Sequence, residues 1–317
     1  MTKQEIVDFP QQGIPVSIIT GFLGSGKTTL LNHILKNKQD LRVAVLVNEF
    51  GDINIDSQLL ISIEEDMVQL NNGCICCSLN HGLVEAVYRV LAIDKKIDYL
   101  VIETTGIADP FPIILTFLTT ELRELTRIDS ILTMVDTKTF SPNHFESEAA
   151  LKQIAFADVI LLNKTDLVSE KKLGEVESNI KLIKERAKIL HTEYGQVPLP
   201  LILDVGLTPV AEYIQSQKYQ SGHLENDGFV AVSFESELPI NVFKFEKFLE
   251  HISGNLFRAK GILWLDDIEF RYIFQMSGNR YTLEVDETCL KPNKNQLVFI
   301  GRHLDNNQIQ DGLNECL

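Results

Sequence analysis

Two clusters in the first quarter of the chain carry residue types that do chemistry. Gly21-Phe22-Leu23-Gly24-Ser25-Gly26-Lys27-Thr28 has the spacing of a phosphate loop, and Cys74-Ile75-Cys76-Cys77 gathers three thiols into one short stretch. Glycines let a backbone curl until successive N–H groups converge on a polyphosphate, and a helix N-terminus behind them adds a favourable dipole. Lys27 then places a charge on the β- and γ-phosphates, and the Thr28 hydroxyl is the expected Mg²⁺ ligand. The apolar run Val16–Thr20 before the loop and the helical pattern Thr28–Asn37 after it give the strand, loop, helix context that the motif requires.

The base is chosen further along, at Asn163-Lys164-Thr165-Asp166, which follows the apolar run Val159–Leu162 and so sits at a strand end. A carboxylate such as Asp166 accepts from both N1–H and the 2-amino group of guanine. Adenine has no 2-amino donor and presents a lone pair at N1, so GTP is expected rather than ATP. Lys164 would lie along the base, and Asn163 would tie the base-binding loop to the phosphate loop. Between the two motifs, Tyr99–Ile102 is an apolar strand that ends in Glu103 and, three residues on, Gly106. Glu103 is expected at the Mg²⁺ and Gly106 at the γ-phosphate, as a switch segment. No glutamine follows Gly106 to position water, so slow intrinsic hydrolysis is expected, with stimulation left to metal, a partner or a homodimer.

Three of the five cysteines are clustered, while Cys289 and Cys316 stand apart. With no secretory-type apolar segment at the N-terminus and no apolar run near about 18 residues, the chain reads as soluble and cytoplasmic, with no membrane partner. Clustered thiols in a reducing compartment bind metal or do redox chemistry more often than they form disulfides. Thiolates at i and i+2 can share one Zn²⁺ or Cu(I) and leave coordination positions open. Glu49 and Asp56, after the apolar run Val43–Val47, fall where a first switch loop should lie. They are candidates for Mg²⁺, for water activation or for a further ligand to a thiol-bound metal.

A chain of 317 residues exceeds one ordinary core, so two domains are expected. Apolar runs starting at Val16, Val43, Leu100, Ile131, Val159 and Leu199 alternate with helical patterns such as Leu79–Asp94 and Leu173–Leu190. That alternation predicts an α/β, doubly wound, mostly parallel sheet over residues 1–214. A polar stretch at 215–228 reads as a linker, and 229–317 as a smaller α+β domain with an antiparallel sheet. The balance of 44 acidic against 29 basic residues gives a net charge of −15 with no dense basic patch, which disfavours nucleic-acid binding.

Taken in order, G-x-x-G-x-G-K-T, N-E-F-G-x-x-x-x-D, C-x-C-C, E-T-T-G and N-K-x-D resemble the CobW-type metallochaperone GTPases. Arg258–Trp264 and Leu297–Arg302 resemble that family's C-terminal domain, so the likeness spans the chain. The resemblance implies a P-loop GTPase that binds a transition metal in a nucleotide-dependent way and delivers it to a client metalloprotein or a cofactor-assembly enzyme. By position, Gly21, Gly24, Ser25, Gly26, Lys27, Thr28 and Thr29 hold the phosphates and Mg²⁺. Glu49 and Glu103 serve metal and switch chemistry, Cys74, Cys76 and Cys77 hold the cargo, and Asn163, Lys164 and Asp166 read guanine. Two or three thiolates suit Zn²⁺ and Cu(I) by softness and Co²⁺ by geometry; Zn²⁺ is the favoured cargo, with Co²⁺ next. Many relatives carry a histidine-rich stretch, whereas the seven histidines here are scattered, which points to capture at one site rather than a reservoir. The competing reading is a regulatory GTPase whose thiols are structural or redox sensing.

Overall fold

Runs of branched apolar residues such as Val43–Val47 and Val159–Leu162 have no polar alternation, the pattern of strands covered on both faces. In the computed structural model they form a parallel sheet. The structure describes residues 13–38, 41–47, 79–92, 97–141, 147–204, 229–266, 268, 270–290 and 294–317. Among these, two compact units separate, 13–204 and 229–317.

In the first unit the strands are β1 (Ile14–Gly21), β2 (Val43–Val47), β3 (Tyr99–Glu103), β4 (Thr126–Asp136), β5 (Val159–Asn163) and β6 (Ile189–His191). They lie in the order β2-β3-β1-β4-β5-β6 with every pairing parallel. Helices α1 (Lys27–Asn37), α2 (Leu79–Leu91), α3 (Phe111–Thr119), α4 (Leu122–Leu125), α5 (Glu148–Phe156), α6 (Glu170–Ile183) and α7 (Leu199–Ile202) complete the described part of the unit. Val16 and Ile18 of β1 pack with Leu100 and Ile102 of β3 against Val87 and Val90 of α2 and Ile113 and Phe117 of α3. Ile154 of α5 and Val176 and Ile180 of α6 cover Ile160 and Leu162 of β5. The strand order reverses at β1, and in such sheets the crevice beyond the strands' C-terminal ends is where ligands bind. Among the described residues, no helix is long and apolar enough to cross a membrane.

Two local expectations fail in this unit. The run at Leu199 is not a strand but the short helix α7, because Pro198 and Pro200 supply helix-start geometry and no ladder donor. The last strand of this sheet is instead Ile189–His191, whose first two residues fall within the helical pattern Leu173–Leu190. Helix α6 stops at Ile183, and pairing of Ile189 with Ile160 overrides a helical periodicity that no glycine or proline interrupts after Gly174.

The sheet interior also carries polar groups. Ser17 Oγ lies 2.7 Å from the Tyr99 hydroxyl and 2.6 Å from Ser130 Oγ, Tyr99 donates to Asp129, and Ser130 donates to the Ile202 carbonyl at 2.7 Å. Asp129 further accepts from the Asp204 amide at 2.9 Å and faces Arg127. These bonds knit β1, β3, β4 and the end of α7, all but Asp204 at buried positions where a lost partner is costly.

The second unit is an antiparallel sheet in the order β10-β9-β8-β11-β7. Its strands are β7 (Phe229–Ser236), β8 (Leu256–Trp264), β9 (Phe270–Ser277), β10 (Arg280–Leu290) and β11 (Asn295–Arg302). Helices α8 (Val242–Ile252) and α9 (Asn306–Asn314) supply Phe245, Phe248, Ile309 and Leu313 to a core with Phe274 and Phe299. Phe245 meets Phe274, and Phe248 meets Phe299, in edge-on contacts. Asn241 and Asp305 cap the two helices through their side-chain oxygens.

Replacing Tyr99 with Phe leaves Ser17 and Asp129 one partner short in a dry place. The variant is expected to unfold in urea with a free energy lower by about 2 kcal/mol, against an unchanged denaturant dependence.

Candidate functional site

Strand β1 delivers Gly21 to the crevice, and the chain turns through Phe22–Gly26 into α1. Gly26 sits at φ 105°, where a side chain is strained, and a Cβ there would lie 2.3 Å from Asn163 Nδ2. The space matters because Asn163 Nδ2 donates to the Ser25 carbonyl at 2.9 Å. Its Oδ1 accepts from Thr192 Oγ1 at 3.1 Å and the Gly195 amide at 3.0 Å. One buried amide side chain thus joins the end of β5, the loop after β6 and the phosphate-type loop.

Lys27 is buried at the start of α1 and donates to the Phe22 carbonyl at 3.3 Å. A cation at the positive end of a helix is electrostatically adverse, and an anion between the two relieves both. Thr28 Oγ1 donates to Glu103 Oε1 at 3.0 Å, with Glu103 buried at the end of β3. A hydroxyl and a carboxylate this close are hard oxygen donors of the kind Mg²⁺ takes, so the pair fits that ion. Ser25 Oγ and Thr105 Oγ1 are buried with no hydrogen-bond partner among the described residues. Both belong to segments singled out in the sequence, and buried orphan hydroxyls mark places where a ligand or a loop movement supplies a partner.

The segment after Glu103 is held against this loop. Thr104 accepts no slack: its amide donates to the Ile19 carbonyl at 2.9 Å and its Oγ1 to Thr20 Oγ1 at 3.0 Å. Gly106 then packs so tightly on the loop that a Cβ would lie 2.6 Å from the Leu23 amide nitrogen.

At the other end of the crevice, Lys164 adopts a left-handed conformation with φ 61°. Its Nζ donates to the Gly24 carbonyl at 2.8 Å and pairs with Asp136 Oδ2 at 2.5 Å. Burial opposes the charge on Asp136, but Lys164 and the amides of Thr139 and Lys138 outweigh it and hold the carboxyl below its ordinary value. An open cleft of about 540 Å³ lies here, lined by Gly24, Gly26, Thr29, Asn163, Lys164 and Asp166, with Tyr194 also on its wall. That volume lies in the range of small-molecule sites. Asp166 is exposed.

The crevice thus brings together Gly21, Gly24, Ser25, Gly26, Lys27, Thr28, Thr29, Glu103, Gly106, Asn163, Lys164 and Asp166. Glu49, Asp56, Cys74, Cys76 and Cys77 lie outside the described residues. Sequence reasoning missed Asp136, Tyr194 and Thr192. Asp136 had a signal, since it ends the apolar run Ile131–Val135 as Asn163 ends Val159–Leu162, and the two are register partners. Tyr194 and Thr192 follow a three-residue strand that carries no comparable sign.

Comparison with known proteins gives the chain's family. The family described as CobW/HypB/UreG, nucleotide-binding domain, matches residues 15–191, and that described as cobalamin synthesis protein cobW C-terminal domain matches residues 229–317. The chain is 41% identical over 345 residues to zinc-regulated GTPase metalloprotein activator 1 of Schizosaccharomyces pombe, with 92% of this chain and 83% of the relative covered. It is 33% identical over 311 residues to the zinc chaperone YjiA of Escherichia coli, with 94% and 96% covered. The crystal structure of Zn(II)-bound YjiA GTPase from E. coli superposes with a TM-score of 0.48 at 25% identity, over 97% of this chain and 100% of that one.

Two measurements follow from the cleft. Asp166→Asn replaces an acceptor by a donor, and is expected to weaken GDP binding on the order of 10⁴-fold while favouring XDP, whose 2-carbonyl accepts; competition with a fluorescent nucleotide reads both. Because the folded Asp136 titrates below 3.8, its contribution is complete above that value and lost as pH falls through the lower one. In Lys164→Met burial prevails and Asp136 rises, so the deficit in unfolding free energy should be wide at neutral pH and close below about pH 4.

Proposed function

Because the chain belongs to the CobW-type metallochaperone GTPases, we propose that GTP binding and hydrolysis control its capture and release of a transition metal at Cys74, Cys76 and Cys77. Zn²⁺ is the favoured cargo and Co²⁺ the next, and the recipient is a client metalloprotein or a cofactor-assembly enzyme reached in the cytoplasm. Relatives named as zinc chaperones support the choice of Zn²⁺. The observation that carries the coupling is one of register. Val47, the last residue of β2, pairs with Glu103, and the chain that leaves Val47 leads through the three thiols to α2 at Leu79. Metal-binding and phosphate-binding segments therefore share an anchor at the sheet.

In this reading Lys164 and Asp166 orient the guanine, with Asn163 holding the base loop to Ser25. Gly21, Gly24, Ser25, Gly26 and Thr29 cradle the phosphates and Lys27 neutralises charge between β and γ. Thr28 and Glu103 hold Mg²⁺, which supplies further charge neutralisation when bound. Glu49 serves water activation or metal binding in this reading. Gly106, lying against Leu23, follows the γ-phosphate, and its movement on hydrolysis loosens the thiol segment through Glu103 and β2. Whatever factor GTP adds to metal affinity, metal must add to GTP affinity.

Titration of Zn²⁺ against a competing chelator, in GDP and in a non-hydrolysable GTP analogue, tests the coupling. Tighter binding is expected in the triphosphate form, by about tenfold for a coupling near 1.4 kcal/mol. In Cys74→Ser/Cys76→Ser/Cys77→Ser stoichiometric metal is lost with nucleotide affinity in the absence of metal unchanged. Equal dissociation constants in both nucleotide forms would defeat the proposal.

A further inference from the structure

Helix α5 presents Ala150, Gln153 and Ile154 to the interior, the spacing of a core-facing stripe. Gln153 is the polar member, and it is only 2% exposed. Burying a carboxamide is unfavourable unless it is hydrogen bonded, and a leucine would fill the same position without that cost. Its Nε2 lies 3.0 Å from the Ala108 carbonyl oxygen and 3.3 Å from the Gly106 carbonyl oxygen. Since both neighbours only accept, the group facing them is the NH₂ donor. The preceding residue, Lys152, pairs with Asp109 at 2.8 Å. One helix therefore grips the chain at Gly106, Ala108 and Asp109 from one side, while Leu23 abuts Gly106 from the other. A cavity of about 30 Å³, lined by Phe22, Leu23, Val135, Phe140, Ile154 and Gln153, lies beside the grip and leaves the packing there incomplete.

We propose that Gln153 is a positioning residue for GTP hydrolysis. Its carboxamide sets the peptide that follows Gly106, and with it the approach of the Gly106 amide to the γ-phosphate. The adjoining cavity gives the phosphate loop and α5 room to adjust when that amide moves. The proposal rests on the assignment of Gly106 to the γ-phosphate and adds a residue that is distant in sequence and acts through the Gly106 peptide.

The test compares the full-length chain with Gln153→Leu, Gln153→Glu and Gly106→Ala. Gln153→Leu is expected to bind GDP within about twofold of wild type but to hydrolyse bound GTP about tenfold more slowly, the effect of two lost neutral hydrogen bonds. Gln153→Glu sets a carboxylate against two carbonyl oxygens and should be as slow at neutral pH. Protonation returns one donor, so its rate should climb relative to Gln153→Leu as pH falls, a profile that packing alone would not produce. Wild-type turnover in Gln153→Leu, or identical pH profiles for the two variants, overturns the proposal. Impaired turnover in Gly106→Ala together with wild-type turnover in Gln153→Leu sinks the grip alone, whereas unimpaired Gly106→Ala sinks the Gly106 assignment beneath it. Should Gln153→Leu fail to fold, Gln153→Met keeps the stem and gives the same comparison.

Discussion

The nucleotide end of the protein depends on the bond from Asn163 Nδ2 to the Ser25 carbonyl. A phosphate loop is a strip of backbone with few side chains to hold it, so its shape must be imposed from outside. Asn163 does this from the end of β5, and it is itself fixed by Thr192 and Gly195 at its oxygen. Gly26 is required as much by this neighbour as by its own backbone angle, since any Cβ would collide with the amide nitrogen. Lys164 repeats the arrangement one residue on, reaching Gly24 while it pairs with Asp136. The Asn163–Asp166 loop and the glycine-rich loop are thus a single hydrogen-bonded body.

What could be read in the sequence is what is contiguous. The phosphate loop, the Asn163-Lys164-Thr165-Asp166 loop and the apolar strands before them are local patterns whose chemistry follows from order along the chain, and the parallel α/β sheet followed from their alternation. The tie from Asn163 to the phosphate loop was legible through its motif, but contributions across long sequence separations from residues outside a motif were missed. Gln153 and Asp136 act on segments tens of residues away, through contacts that only the sheet order creates. The misplaced strand near Leu199 has the same origin. Ile189–His191 is too short to announce itself, and it is a strand because β5 offers an edge. Leu199–Ile202 is apolar enough for a strand, but its prolines bend it into a helical turn.

The segment that follows β3 is shaped by constraint rather than freedom. The chain from Glu103 to Asp109 is bonded to β1 through Thr104, pressed on Leu23 at Gly106 and tied to α5 through Gln153 and Lys152. A segment held at so many points does not drift between states; it has discrete ways of being held. Elements of that kind respond to a ligand as a choice between arrangements. Glu103 stands at the start of this segment and beside Val47 in register, so a change felt there reaches the edge strand by a route one residue wide.

The pairing of Asp136 with Asn163 in neighbouring parallel strands has a consequence for how such a chain can diverge. Side chains alternate along a strand, so deleting or inserting one residue in β4 or β5 would turn one of the two away from the crevice and disconnect it from the lysine between them. Surface connections can lengthen or shorten freely over generations, and β4 absorbs an extra residue at Asp129, but Ser130–Asp136 and β5 can tolerate replacement and not indels. Divergent copies should differ there in letters while keeping count.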